Sequence, residues 1–93
     1  MVYSFPLKLL AEFLGTFLLM MSVLASGGNA LVIGGTLAFV VFLTGGISGG
    51  VVNPALTFGL LFAGKLPYKH ILSYILVEIL GAVAAAYTFY RVA

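Results

Sequence analysis

Residues Gly45 to Gly59 read GGISGGVVNPALTFG. Four glycines and a serine lead into Asn53-Pro54-Ala55, and an apolar helical run follows. No charged residue lies between Glu12 and Lys65. A flexible polar loop therefore interrupts some of the most apolar sequence in the chain. Water-soluble proteins carry such loops on the surface. This one is expected at membrane depth, and that placement needs a physical reason.

The setting is set by composition. Apolar residues make up 63% of the 93 residues and charged residues 6%, with a mean hydropathy of +1.29. Soluble domains are about a quarter charged, so the reading is an all-α integral membrane protein. The length allows one small domain. The net charge of +2 comes from four scattered basic residues, which form no basic patch and give no sign of nucleic-acid binding. Cysteine is absent, so neither a disulfide nor a thiolate ligand is available. Tryptophan is absent too, leaving tyrosine to anchor the membrane interfaces.

Upstream of the loop, residues 7–26 form the first expected span. Twenty residues at about 1.5 Å each reach roughly 30 Å, the thickness of the hydrocarbon core. Ser4 and Pro6 suit its start, and Ser26-Gly27-Gly28-Asn29 its end. Leu24-Ala25-Ser26 loosely resembles a signal-peptide cleavage site, but Glu12 at the start of the apolar region argues for a retained helix. Residues 30–44 form the second span. Gly34, Gly35 and Ala38 give it a thin face, as Ala11 and Gly15 do for the first; small residues at this spacing let membrane helices approach closely.

Residues 45–53 break the helix. Pro54 opens a new apolar run over 54–64, closed by Gly64-Lys65-Leu66-Pro67. Eleven residues reach only about 16 Å, half the membrane core. This segment cannot cross, and Lys65 and Lys69 at its end need water. The expectation is a re-entrant half-helix that starts near mid-membrane and returns to the side it came from. Residues 68–91 form the third span, with Tyr68 at one end, Tyr87 and Tyr90 at the other, and Gly81 and Ala85 on a thin face. Three crossings separate the termini. Lys8, Lys65 and Lys69 fall on one side and Arg91 on the other, so the N-terminus is expected in the cytoplasm.

Irregular backbone at membrane depth is tolerated only when buried in protein or lining a watery cavity. Gly45, Gly46, Gly49 and Gly50 suit such a loop. Asn53 takes the cap of the half-helix and Pro54 its first position. The helix dipole then puts partial positive charge at mid-membrane, and the Asn53 amide can hold the cap while offering N–H donors to a cavity. A donor-rich, cation-repelling spot suits passage of neutral hydroxylated molecules. The bland alternative is a connecting turn, since the tripeptide alone recurs by chance about once in several thousand positions; the glycine loop before it and the half-length helix after it weigh against that. Against a phosphate-binding loop, no Lys-Ser/Thr follows Gly50 and no strand–helix alternation surrounds it.

Ser48 to Thr57, SGGVVNPALT, resembles the first signature loop of the aquaporin and glycerol-facilitator family. Ala11 to Thr16, AEFLGT, resembles that family's first helix, and Tyr74 to Ala82, YILVEILGA, its third. The similarity runs over almost the whole chain, in the family's order. It implies a single unit of the family's inverted repeat: three transmembrane helices plus one re-entrant half-helix. It implies that Asn53 donates to the oxygen of a passing water or alcohol, interrupting a proton-conducting water chain. The carbonyls of Gly49, Gly50, Val51 and Val52 would line the path as acceptors, with Pro54 and Ala55 completing the motif. Ile33 falls at the second-helix position of the family's narrow filter, where many members carry an aromatic residue or His. The family often has His where Val51 stands, and the filter Arg that follows the second Asn-Pro-Ala has no counterpart, because Leu56 follows the only one here.

Glu12 and Glu78 are costly in a membrane, at about 2.5–3.5 kcal/mol for a charge at helix centre. Each lies on a small-residue face, which is expected to meet protein. Their expected role is structural support of the irregular loop, ahead of proton relay or ion binding. Glu12 matches the family's first-helix Glu, whereas Glu78 replaces the Gln usual in the third. His70, the only histidine, reads as a solvated end residue. The three methionines read as a start residue and packing, with no metal site. No nucleophile–base spacing exists, so no enzyme is expected, and no cofactor is called for.

The function these readings support is a passive channel element for water or small neutral solutes such as glycerol. Three helices and a half-helix cannot enclose a pore, and the polar loop needs burial. A partner is therefore expected: a second, inverted copy that recreates a two-fold repeat, or a complementary half-channel. Lysine asymmetry weighs against free dual insertion. The alternatives are a truncated, non-conducting remnant and a small interaction subunit that packs on a larger transporter through its Ala11, Gly34 and Gly81 faces.

Overall fold

The computed structural model describes residues 3–92 and is all-helical. Helix α1 is Phe5–Ala25, α2 is Ala30–Thr44, α3 is Pro54–Phe62 and α4 is Tyr68–Val92. The expected limits of 7–26, 30–44, 54–64 and 68–91 differ from these by two residues at most. Helices α1 and α4, with 21 and 25 residues, are long and apolar enough to cross a membrane, and α2 is a shorter apolar helix. Nine residues make α3 only about 14 Å long.

Each boundary has a local cause. Ser4 Oγ accepts the Leu7 N–H at 3.4 Å to cap α1. Asn29 Oδ1 caps α2 by accepting Leu31 and Val32 N–H groups at 3.0 and 3.1 Å. Helices α1 and α3 end alike. Gly27 and Gly64 stand just past the cap with φ of 65° and 73°, which only glycine adopts without strain. The next N–H then folds back on the third-last carbonyl: Gly28 to Val23 at 3.0 Å, and Lys65 to Leu60 at 2.8 Å. That closure stops α3 at Phe62, two residues short of the expected Gly64.

Helices α1 and α4 form the central pair, with α2 against α1 and α3 against α4. The α1–α4 crossing is close because Gly81 lacks a side chain: a Cβ there would lie 2.5 Å from the Phe13 carbonyl oxygen. Gly15 does the same for the loop, since its Cβ would fall 2.6 Å from Val52 Cγ1 and 2.9 Å from Val40 Cγ1. On α4 the buried face reads Ile71, Tyr74, Glu78, Gly81, Ala85, a three-four alternation down one stripe. Gly34 and Gly35 differ from the expected close-packing role: a Cβ at either would meet nothing within 4 Å, so the thin face of α2 has no partner within the described residues.

The burial pattern reverses that of a soluble domain. Tyr74, Glu12, Glu78, Val40 and Thr57 are the largest fully buried side chains, while Leu31, Phe42, Phe62 and Leu72 are among the most exposed. Polar side chains share the centre with apolar ones while many large apolar groups face outward, which is favourable only where the surroundings are themselves apolar.

Candidate functional site

The site is the segment 45–53 with the first turn of α3. Asn53 supplies the N-cap: its Oδ1 accepts the N–H groups of Ala55 at 2.7 Å and Leu56 at 3.3 Å. Its backbone is extended, at φ −161° and ψ 122°, and Pro54 follows at the first helical position. With Oδ1 engaged, the Nδ2 amide makes no hydrogen bond among the described residues, and Asn53 is exposed. The cap thus holds the side chain in one orientation and leaves its two amide protons available. Gly49 and Ala55 are exposed as well, Pro54 and Ile33 are half-buried, and Gly50, Val51 and Val52 are buried. The valine side chains are buried, so the stretch from Gly49 to Val52 presents no polar side chain of its own.

The loop is held from beneath by Glu12. Its Oε1 accepts the Val52 N–H at 2.7 Å, and its Oε2 accepts the Val51 N–H at 3.2 Å and the Ser48 hydroxyl at 2.6 Å. These bonds secure an unusual backbone. Gly49, Gly50 and Val52 have φ of 96°, 59° and 44°. Positive φ in a β-branched residue is a true outlier, costing on the order of 1–3 kcal/mol. A second tie comes from α4, where the Tyr74 hydroxyl donates to the Ser48 carbonyl at 2.7 Å.

Glu78 serves the other end of the site. The Thr57 hydroxyl lies 2.8 and 3.0 Å from its two carboxyl oxygens and 3.0 Å from the Asn53 carbonyl. One hydroxyl thereby ties α4 to the turn that Asn53 caps. Glu12, Thr57 and Glu78 are all buried, and every buried side-chain polar atom among the described residues has a hydrogen-bond partner. Polar groups in an apolar medium require this.

Ser48, Thr57 and Tyr74 had no role assigned from sequence. A spacing signal was present: Thr57 is one turn after Asn53, and Tyr74 one turn before Glu78 on the Gly81 stripe. His70 is half-buried rather than simply solvated, with its ring stacked 4.3 Å from that of Phe5. A groove between α1 and α2, lined by Leu10, Leu14, Leu18, Val40 and Leu43, is apolar and carries no chemistry. The described residues hold no group of three or more His, Cys, Asp or Glu suited to a metal ion.

A capped short helix behind a carboxylate-held glycine loop, inside an apolar helical shell, defines the class. The chain belongs to the major intrinsic protein family, whose model matches residues 2–93. It is therefore a membrane protein. It is 41% identical over 100 residues to Aquaporin Z of Brucella melitensis biotype 1, covering 92% of this chain and 44% of that protein. Against Aquaporin Z of Rhodopseudomonas palustris the identity is 38% over 100 residues, covering 92% of this chain and 42% of the relative. The chain thus spans less than half the length of these curated relatives.

Proposed function

We propose that this chain is one half of a passive channel for water or small neutral solutes, completed by a second unit. The observation that carries the reading is Asn53: its oxygen is committed to the helix cap, its amide protons are uncommitted, and it is exposed in a chain whose other polar centre is buried. Such a donor binds the oxygen of a neutral solute but offers a cation nothing. Family membership and the similarity to proteins named aquaporin support the same reading.

In this reading α1, α2 and α4 cross the membrane, with the N-terminus in the cytoplasm. Segment 45–53 and α3 form a re-entrant pair that starts at mid-depth. Helix α2 reaches only about 22 Å, which suits a span continued by the loop that follows it. The uncovered side of Asn53 and Gly49 needs protein opposite it. A second, inverted copy supplies that with the same residues; a separate complementary half is the other arrangement. Glu12 and Glu78 hold the loop, and Ile33 borders the path. No cofactor takes part, and no catalytic step is involved.

A non-conducting interaction subunit is the second reading, favoured by the open Gly34–Gly35 face of α2. Water and glycerol flux into proteoliposomes separates the two. The channel reading predicts flux above that of protein-free vesicles, altered by Asn53→Asp; the subunit reading predicts none in any oligomeric state.

A further inference from the structure

The four cations look scattered in the sequence, but the fold gathers three of them at one end. The Phe5 and His70 rings stack at 4.3 Å, which sets the first turn of α1 beside the first turn of α4. Lys8 lies in the former and Lys69 in the latter, with Lys65 in the turn just ahead of α4. That turn is fastened at both ends: the Lys65 N–H donates to the Leu60 carbonyl at 2.8 Å, and the His70 N–H to the Pro67 carbonyl at 3.0 Å. Arg91 stands about 33 Å further along α4 than Lys69, with its guanidinium 4.6 Å above the Tyr87 ring.

The lysines have no counter-charge within the chain. Its only acids, Glu12 and Glu78, are fully buried and engaged with segment 48–52 and with Thr57. Lys65 and Lys69 are exposed, and Lys8 is half-buried. Beyond the lysines α4 turns an apolar stripe outward: Tyr68, Leu72 and Leu76, one turn apart, are 82%, 79% and 55% exposed. One surface thus reads cation, aromatic ring, aliphatic side chain. That is the order of headgroup, interface and acyl chain in one leaflet of a bilayer.

We propose that the α3–α4 turn and the start of α4 bind an anionic phospholipid. Lys65 and Lys69 hold its phosphate, Leu72 and Leu76 carry its acyl chain, and Lys8 adds positive potential from α1. Charge selects this occupant. A second copy of the chain has its acids buried too, so it could bring only cations to these lysines. A zwitterionic lipid sets its own cation beside its phosphate and gains less. One surface lysine favours an anionic lipid surface about fivefold. The inference rests on the reading that α1 and α4 cross the membrane, which puts the lysines at headgroup level, and it holds whether or not the chain conducts.

The test is electron paramagnetic resonance of the full chain in phosphatidylcholine vesicles, with a trace of chain-labelled phosphatidylglycerol or chain-labelled phosphatidylcholine. The expected result is an about fivefold preference for phosphatidylglycerol in the motionally restricted lipid, lost in the Lys65→Gln, Lys69→Gln double variant and kept in Arg91→Gln. Equal association of the two lipids would overturn the proposal, as would a preference that survives the double variant or disappears in Arg91→Gln. Displacement of the labelled lipid by an equal concentration of inorganic phosphate would mark a free-anion site and overturn it too. A preference that disappears as the protein-to-lipid ratio rises would assign the face to a protein partner, with the same consequence. Alkaline carbonate extraction of the same vesicles checks the crossing separately. A chain that resists extraction yet shows no preference contradicts this proposal alone; a chain that is extracted contradicts the crossing as well.

Discussion

The Glu12 carboxylate accepts the backbone N–H of Val52 at 2.7 Å, and Val52 is the one non-glycine residue with positive φ among the described residues. A strained, β-branched loop residue is thus held by a buried carboxyl group from another helix. The strain and the buried polar group are each unfavourable alone; together they fix where the chain turns into Asn53.

Glu12→Ala removes the acceptor for three donors at once. Each buried donor left without a partner costs about 1–3 kcal/mol. The chain should lose about 3–5 kcal/mol of stability, read as a lower midpoint in denaturing-detergent titration followed by circular dichroism. Solute flux should fall to the level of empty vesicles. Unchanged stability would mean that the loop is held elsewhere.

Gly81→Val and Gly34→Ala form a matched pair. The first forces a Cβ to within 2.5 Å of the Phe13 carbonyl, whereas the second meets nothing within 4 Å. Overpacking should cost Gly81→Val about 1–3 kcal/mol, and Gly34→Ala should gain up to about 1 kcal/mol from helix propensity. Thermal unfolding of the dilute, monomeric chain in detergent checks both. Gly34→Ala measured under assembling conditions also shows whether the α2 face is covered in the oligomer.

Thr57→Val keeps the shape of Thr57 and removes the hydroxyl shared by Asn53 and Glu78. The expected loss is about 1–3 kcal/mol, with reduced flux, and Thr57→Ser should restore most of both. Tyr74→Phe should be milder, at about 0.6–1.5 kcal/mol, because it removes a single bond to the Ser48 carbonyl and leaves the ring packed. If the two variants proved equally costly, Thr57 would not be the junction described above.

The reasons some of this was legible in the sequence are local. Glycine and proline punctuate a chain in which apolar length alone separates a long helix from a short one, so helix limits follow from counting. The Gly81 and Ala85 stripe is a spacing signal, and it coincides with the α1–α4 contact. Side-chain bonding was not legible in the same way. Ser48, Thr57 and Tyr74 look alike in sequence whether they face lipid, backbone or a carboxylate, and only the fold brings them to Glu12 and Glu78. Val52 could not be foreseen at all, because a β-branched residue signals negative φ. Gly34 and Gly35 carry the same small-residue signal as Gly81 but lack a partner within this chain: spacing reports that a helix can be approached, not what approaches it.

We propose above that Asn53 lines a solute path once a second unit covers it. Stopped-flow light scattering on proteoliposomes of the purified chain measures this directly, with the oligomeric state fixed by cross-linking. The expected result is osmotic water permeability above that of protein-free vesicles in an assembled form, lost in Glu12→Ala and changed in solute or ion preference by Asn53→Asp. Permeability equal to empty vesicles in every oligomeric state, with the chain folded and inserted, would contradict it.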